Sequence, residues 1–208
     1  MESKKVLVVG ASSGIGYAIY RHCQQKYDHV IGVSRRGPDK YVDMADMGSL
    51  KGVQDSYDLI IYAAGIMPLR EDNEEIRILT VNFLNFSFLI QNLVSKMDGN
   101  DPQVIAISSV SALHPDPHQS MYAASKAAMN AWMRSMALRY AKKVRFNLVS
   151  PGFFDTDLVP GETPKNLIDS IPMKREAKPE EILPVIDMLI ETKYMTGANI
   201  VIDGGLSI

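Results

Sequence analysis

KKVLVVGASSGIGYAIYRHCQQKY, residues 4–27, places an apolar run, a glycine turn and a helical pattern in that order. The run VLVV is apolar at successive positions rather than alternately, as in a strand covered on both faces. Gly10 lets the chain turn sharply, Gly14 leaves room for a phosphate to approach the backbone, and Gly16 lets the following helix pack closely on the strand. The free amides and positive dipole end of that helix suit a pyrophosphate. Gly10, Ser12, Ser13, Gly14, Ile15 and Gly16 therefore form the expected nucleotide-binding turn.

Outward from this unit the same alternation continues. Strand-like runs HVIGVS (29–34), YDLIIYAA (57–64), QVIAIS (103–108), VRFNLVS (144–150) and NIVID (199–203) are mostly separated by helical patterns. The pattern predicts an α/β fold, a doubly wound and largely or fully parallel sheet with helices on both faces. With 208 residues, 46% of them hydrophobic and 22% charged, the chain is long enough for one sizeable core, so residues 1–208 read as a single domain. A formal charge of −2 without a run of Lys and Arg gives no electrostatic reason to expect nucleic acid or an anionic membrane as partner. The most apolar helical stretch, VNFLNFSFLIQNLV, carries three asparagines and reads as a core helix, being shorter than the ~20 apolar residues of a membrane span. The apolar part of the N-terminus is too short for a signal peptide, and the lone Cys23 fits a reducing cytoplasm.

A second block carries chemistry. Ser108 and Ser109 close the run QVIAISS, and 13 positions after Ser109 stands Tyr122, followed four residues later by Lys126. Positions four apart share a helix face, so the ammonium can sit close to the phenol. A free phenol has a pKa of about 10, and a cation within a few ångströms lowers it. Tyr122 is thus expected to be a proton donor or acceptor tuned by Lys126.

Taken together, GASSGIG, AAG at 63–65, Asn82, Ser109, YAASK, SPGFFDT and the terminal DGG resemble the short-chain dehydrogenase/reductase family, over about Val6 to Gly205. The resemblance implies a nicotinamide-dependent oxidoreductase on a single Rossmann-type domain, interconverting a carbonyl and an alcohol. It implies a tetrad in which Tyr122 exchanges the proton, Ser109 binds the same oxygen, Lys126 lowers the phenol pKa and binds ribose, and Asn82 holds a water linking the lysine to solvent. It further implies that Asp43 and Met44 contact adenine, that Ala64 and Gly65 lie under its ribose, that Pro151, Gly152 and Thr156 hold the nicotinamide, and that Ala63 and Phe154 belong to the same cofactor site. Asp43 reads equally as a turn residue. Residues 40–57 leave only a stub of the helix usual there, so this is a compact member. Helices at 72–97 and 120–141 build dimers and tetramers in relatives, and their apolar residues, Phe83, Phe86, Leu89, Trp132, Met133 and Met136, serve equally as core.

Cofactor choice follows from the end of the second strand. An enzyme specific for NAD(H) commonly has an acid there, roughly 20 residues beyond the glycines. Ser34, Arg35 and Arg36 stand there instead, and arginine grips a 2′-phosphate that an acid would repel, so NADP(H) is expected over NAD(H). Residues 153–180, rich in Pro and mixed charge, read as a substrate lid. Met67, Met121, Phe153 and Phe154 are candidates for an apolar substrate wall. Ketone, aldehyde and 3-oxoacyl substrates stay open. His114 and His118 lack metal-ligand company, so no metal is expected. Tyr62 replaces the first asparagine of the family's NxAG turn, which puts local rigidity in question. A cofactor-binding sensor without turnover is the alternative function; the presence of both Tyr122 and Lys126 weighs against it.

Overall fold

A computed structural model describes residues 2–67, 75–158, 161 and 163–208. Positions 72–74 of the expected helix and 159, 160 and 162 of the expected lid lie outside the described residues. The strands are β1 (Glu2–Val9), β2 (Tyr27–Ser34), β3 (Lys40–Tyr41), β4 (Leu59–Tyr62), β5 (Gln103–Ile107), β6 (Arg145–Pro151) and β7 (Asn199–Ile202). They form one sheet in the order β3-β2-β1-β4-β5-β6-β7, with every pair parallel. β3 is the strand that periodicity did not predict; two residues are too few to show a period.

Helices α1 (Gly14–Lys26), α2 (Glu75–Leu79), α3 (Asn85–Val94), α4 (Ser120–Tyr140), α5 (Lys165–Ser170) and α6 (Leu183–Glu191) complete the doubly wound arrangement. Strand alternation divides the core. Leu7 and Val9 of β1 join Phe86, Leu89, Met133 and Met136 of α3 and α4 on one face. Val6 and Val8 join Ile19 and Cys23 of α1 and Ile186 and Leu189 of α6 on the other. The residues flagged as core or interface on the long helices are thus mostly core. Among the described residues, no helix is long and apolar enough to cross a membrane.

The two faces determine how the last strand is reached. β1–α1–β2 and β5–α4–β6 step in opposite lateral directions on opposite faces, so they share one hand. β6–α6–β7 steps in the same direction as β5–α4–β6 but on the opposite face, so it has the other hand. Because parallel crossovers are right-handed in about 98% of cases, the β6–β7 connection is the left-handed one. Its chain leaves the end of β6 and crosses the carboxyl ends of the strands to change faces. That crossing roofs the place where open α/β sheets bind ligands.

Candidate active site

A cleft of about 710 Å³ opens at the carboxyl ends of the strands. The glycine turn forms its floor. Gly10 has φ +91°, and a Cβ there would come within 2.6 Å of Ala64 N, so the turn after β1 lies directly against the chain leaving β4. A Cβ on Gly16 would strike the Gly10 carbonyl, the close packing anticipated from sequence. Ser13 is the extended N-cap of α1, and no acidic residue occupies the first turn. The amides opening α1 have no intrahelical partner, so the cleft receives several N–H donors and the positive end of a 13-residue helix.

Ser12, Ser13, Gly14, Ile15, Ser34, Arg35, Arg36, Asp43, Met44, Ala63, Ala64, Gly65, Pro151, Gly152, Phe154 and Thr156 all line the same cleft. Asp43 is also the turn residue that the sequence allowed: its Oδ1 accepts the Ala45 N–H at 2.8 Å. Met67 and Phe153 line the cleft, whereas Met121 does not. His114 lines it and His118 does not, and among the described residues no group of three His, Cys, Asp or Glu is placed to hold a metal ion.

The reactive end is gathered by β5 and α4. Ser109, two residues past the end of β5, caps a 3₁₀ turn (Val110–Ala112), accepting the Ser111 N–H at 3.1 Å. Ser108 beside it donates to Asn130 Oδ1 at 2.6 Å, fastening the strand end to α4 one turn beyond Lys126. Tyr122 and Lys126, one turn apart on α4, are each 4% exposed. The expected tuning needs correction here. Burial raises the Tyr122 phenol above its ordinary value, and only a hydrogen bond from Ser109 opposes the rise. The ammonium lies 5.9 Å from the ring centroid and donates to the Ile107 carbonyl at 2.9 Å. Burial also brings Lys126 itself down to about 8.

Asn82 lies near Lys126: a Cβ on Gly65 would sit 3.4 Å from both Asn82 Oδ1 and Lys126 Nζ. The Asn82 side chain is fully buried behind the cleft wall, accepting Ile66 N–H and donating to Ile66 O, both at 2.9 Å, with a second donation to Ser125 Oγ at 3.1 Å. The side-chain amide is therefore committed to protein partners. Asn82 sits at the centre of a π-helical turn (Thr80–Leu84) between α2 and α3. Tyr62, the departure noted in the sequence, donates its hydroxyl to the Val81 carbonyl in that turn at 2.9 Å and packs on Phe86 with centroids 4.6 Å apart. The tyrosine ties β4 to the turn carrying Asn82, a different means of bracing the same place.

Among the cleft residues that sequence reading did not single out are Thr163, Glu176, Leu206 and Ser207. Thr163 Oγ1 donates to Glu176 Oε1 at 2.5 Å across the crossing segment. Both were covered only by the lid expectation, and no motif marks them individually.

A family model described as enoyl-(acyl carrier protein) reductase matches residues 48–207. The 3-oxoacyl-[acyl-carrier-protein] reductase FabG of Thermotoga maritima is 30% identical over 247 residues, covering 100% of this chain and 99% of that protein. The chain belongs to the short-chain dehydrogenase/reductase family. Carbonyl reductase family member 4 of Danio rerio is a further relative of this short-chain dehydrogenase/reductase, 27% identical over 234 residues with 99% of each chain covered. Among solved structures, the ligand-free aldohexose dehydrogenase of Thermoplasma acidophilum superposes with a TM-score of 0.87 at 29% identity, covering 99% of this chain and 94% of that one. As a member of the family, this chain is a NAD(P)-dependent oxidoreductase.

Proposed function

We propose that the protein is an NADP(H)-dependent reductase of a small carbonyl compound, with Tyr122 as the proton donor. The observation that carries the reading is the convergence of the glycine turn, the Arg35–Arg36 pair and the buried Tyr122 with Lys126 on one cleft. The donor set fits a dinucleotide phosphate: helix amides for the pyrophosphate, two exposed guanidiniums, no acidic side chain at the end of β2, and Lys126 deep in the cleft. When bound, the cofactor supplies the hydride.

The chain's own residues handle the proton. A phenol held above its ordinary value is neutral at pH 7, so Tyr122 Oη is loaded to donate to a carbonyl oxygen as charge develops there. Ser109, whose side chain hydrogen-bonds the phenol, steadies the same oxygen and the phenolate left behind when its Oγ–H turns toward them. Lys126, brought to about 8, holds a proton that it can release near neutrality, which makes Nζ the nearest reservoir for recharging Tyr122. Asn82 serves by holding Ile66, and with it Gly65, under the lysine.

The segment 153–180 is the proposed lid within a single domain, and a small-molecule carbonyl or alcohol is the proposed substrate. Exposed Ile76, Leu84, Phe88 and Leu138 on α2–α4 support a homodimer or homotetramer. A cytoplasmic location fits the single buried cysteine. The test is NADPH oxidation against ketones, aldehydes and 3-oxoacyl thioesters. Turnover with at least one class is expected, faster with NADPH than with NADH; tight NADPH binding with indifference to every carbonyl would instead favour a sensor.

A further inference from the structure

The connection between β2 and β3 is built around one carboxylate. β3 covers only Lys40–Tyr41, so at Gly32 the outer edge of β2 has no strand beside it. Asp39 supplies what is missing. Its Oδ2 accepts the Gly32 N–H at 2.7 Å, and its own N–H donates to Gly32 O at 3.2 Å. The six residues between them form a loop closed at the neck by a single side chain and its backbone.

Inside that loop, Gly37 N–H donates to Ser34 O at 3.1 Å, which makes Arg35 and Arg36 the two central residues of a β-turn. Arg36 N–H also donates to Ser34 Oγ at 3.1 Å. The neck is tied inward as well. Tyr20 of α1 hydrogen-bonds Asp39, and Gln24 Nε2 donates to the Tyr20 oxygen at 2.7 Å. The arginine turn is thereby fixed relative to α1, the helix whose N-terminus forms the phosphate end of the cleft. Asp39 itself is not part of the cleft lining, so it acts through the turn.

We propose that Asp39 is a positioning residue for 2′-phosphate recognition: by closing the neck of the Arg35–Arg36 turn it sets the preference for NADP(H) over NAD(H) without touching the cofactor. The inference rests on the NADP(H) reading above. A preorganised pair of guanidiniums binds a phosphate without first losing loop freedom, whereas a loosened loop bears that cost at binding.

The test is calorimetric titration of the full chain with 2′,5′-ADP and with 5′-AMP, which differ only in the 2′-phosphate. Wild type is expected to bind 2′,5′-ADP at least about tenfold more tightly. Asp39→Ala should lower that ratio roughly five- to tenfold while leaving 5′-AMP affinity within about twofold, the scale of losing one or two hydrogen bonds that order a loop. In an Arg35→Ala/Arg36→Ala background, Asp39→Ala should change the ratio no further, since nothing remains for it to position. Equal weakening of both ligands, or an unchanged ratio, overturns the proposal. If Asp39→Ala does not fold, Tyr20→Phe, which removes only the hydroxyl on the carboxylate, carries the test: a lowered ratio supports the proposal and an unchanged ratio overturns it. A wild type without preference for 2′,5′-ADP sinks the NADP(H) reading and this inference together, whereas a preference that Asp39→Ala leaves intact sinks the positioning role alone.

Discussion

Lys126 is a cation held where water barely reaches, and its depressed pKa makes it a cost to the fold as well as a tool. From an ordinary 10.5 down to about 8 is a difference of the order of 3 kcal/mol between its two protonation states. The sign follows from proton counts. Between about pH 8 and 10.5 the unfolded chain binds the proton that the folded chain has lost, so stability rises with pH across that window and the gain is absent below it. Lys126→Met should therefore abolish turnover yet unfold at higher urea at pH 7, by about 2–3 kcal/mol, with the difference shrinking as pH approaches 10. Equal stabilities at pH 7 and pH 10 would show that the ammonium is not buried at a cost. The identities of Tyr122, Lys126 and Ser109 were legible from spacing and motif alone. The direction of the Tyr122 shift was not, because spacing reports which groups are neighbours, whereas the direction depends on how deeply the phenol is buried.

Elements with a clear period were legible: six of the seven strands, and α1, α3 and α4 to within a few residues. The π-helical turn at Thr80–Leu84 was not, since one extra residue in a continuous apolar helix changes the phase too little for periodicity to register. The role of Tyr62 depends on that turn and was hidden with it. The crossing segment showed its composition but not its fastening, a hydrogen bond from Thr163 to Glu176. Thr163→Val removes the donor at nearly constant volume. Loss of about 1 kcal/mol of closure should raise KM for the carbonyl roughly fivefold and leave kcat within about twofold, measured by steady-state kinetics. An unchanged KM would separate this contact from substrate capture.

At the scale of the whole molecule, two parts far apart in sequence meet because all seven strands point their carboxyl ends the same way. The glycine turn follows β1, the arginine turn follows β2, Ala63–Gly65 follow β4, Ser109 follows β5 and Pro151 ends β6. A reversal of crossover hand between β6 and β7 then draws the intervening chain over them. The convergence was readable once the strand–helix alternation was seen; the change of hand was not, because it requires knowing which face each helix covers. The measurement that tests this account most directly is a single-turnover comparison of wild type and Tyr122→Phe, with NADPH binding followed in parallel. The account predicts NADPH affinity within about threefold of wild type and hydride transfer slower by about a thousandfold, the range associated with losing a positioned proton donor. Transfer at a rate near that of wild type would contradict it.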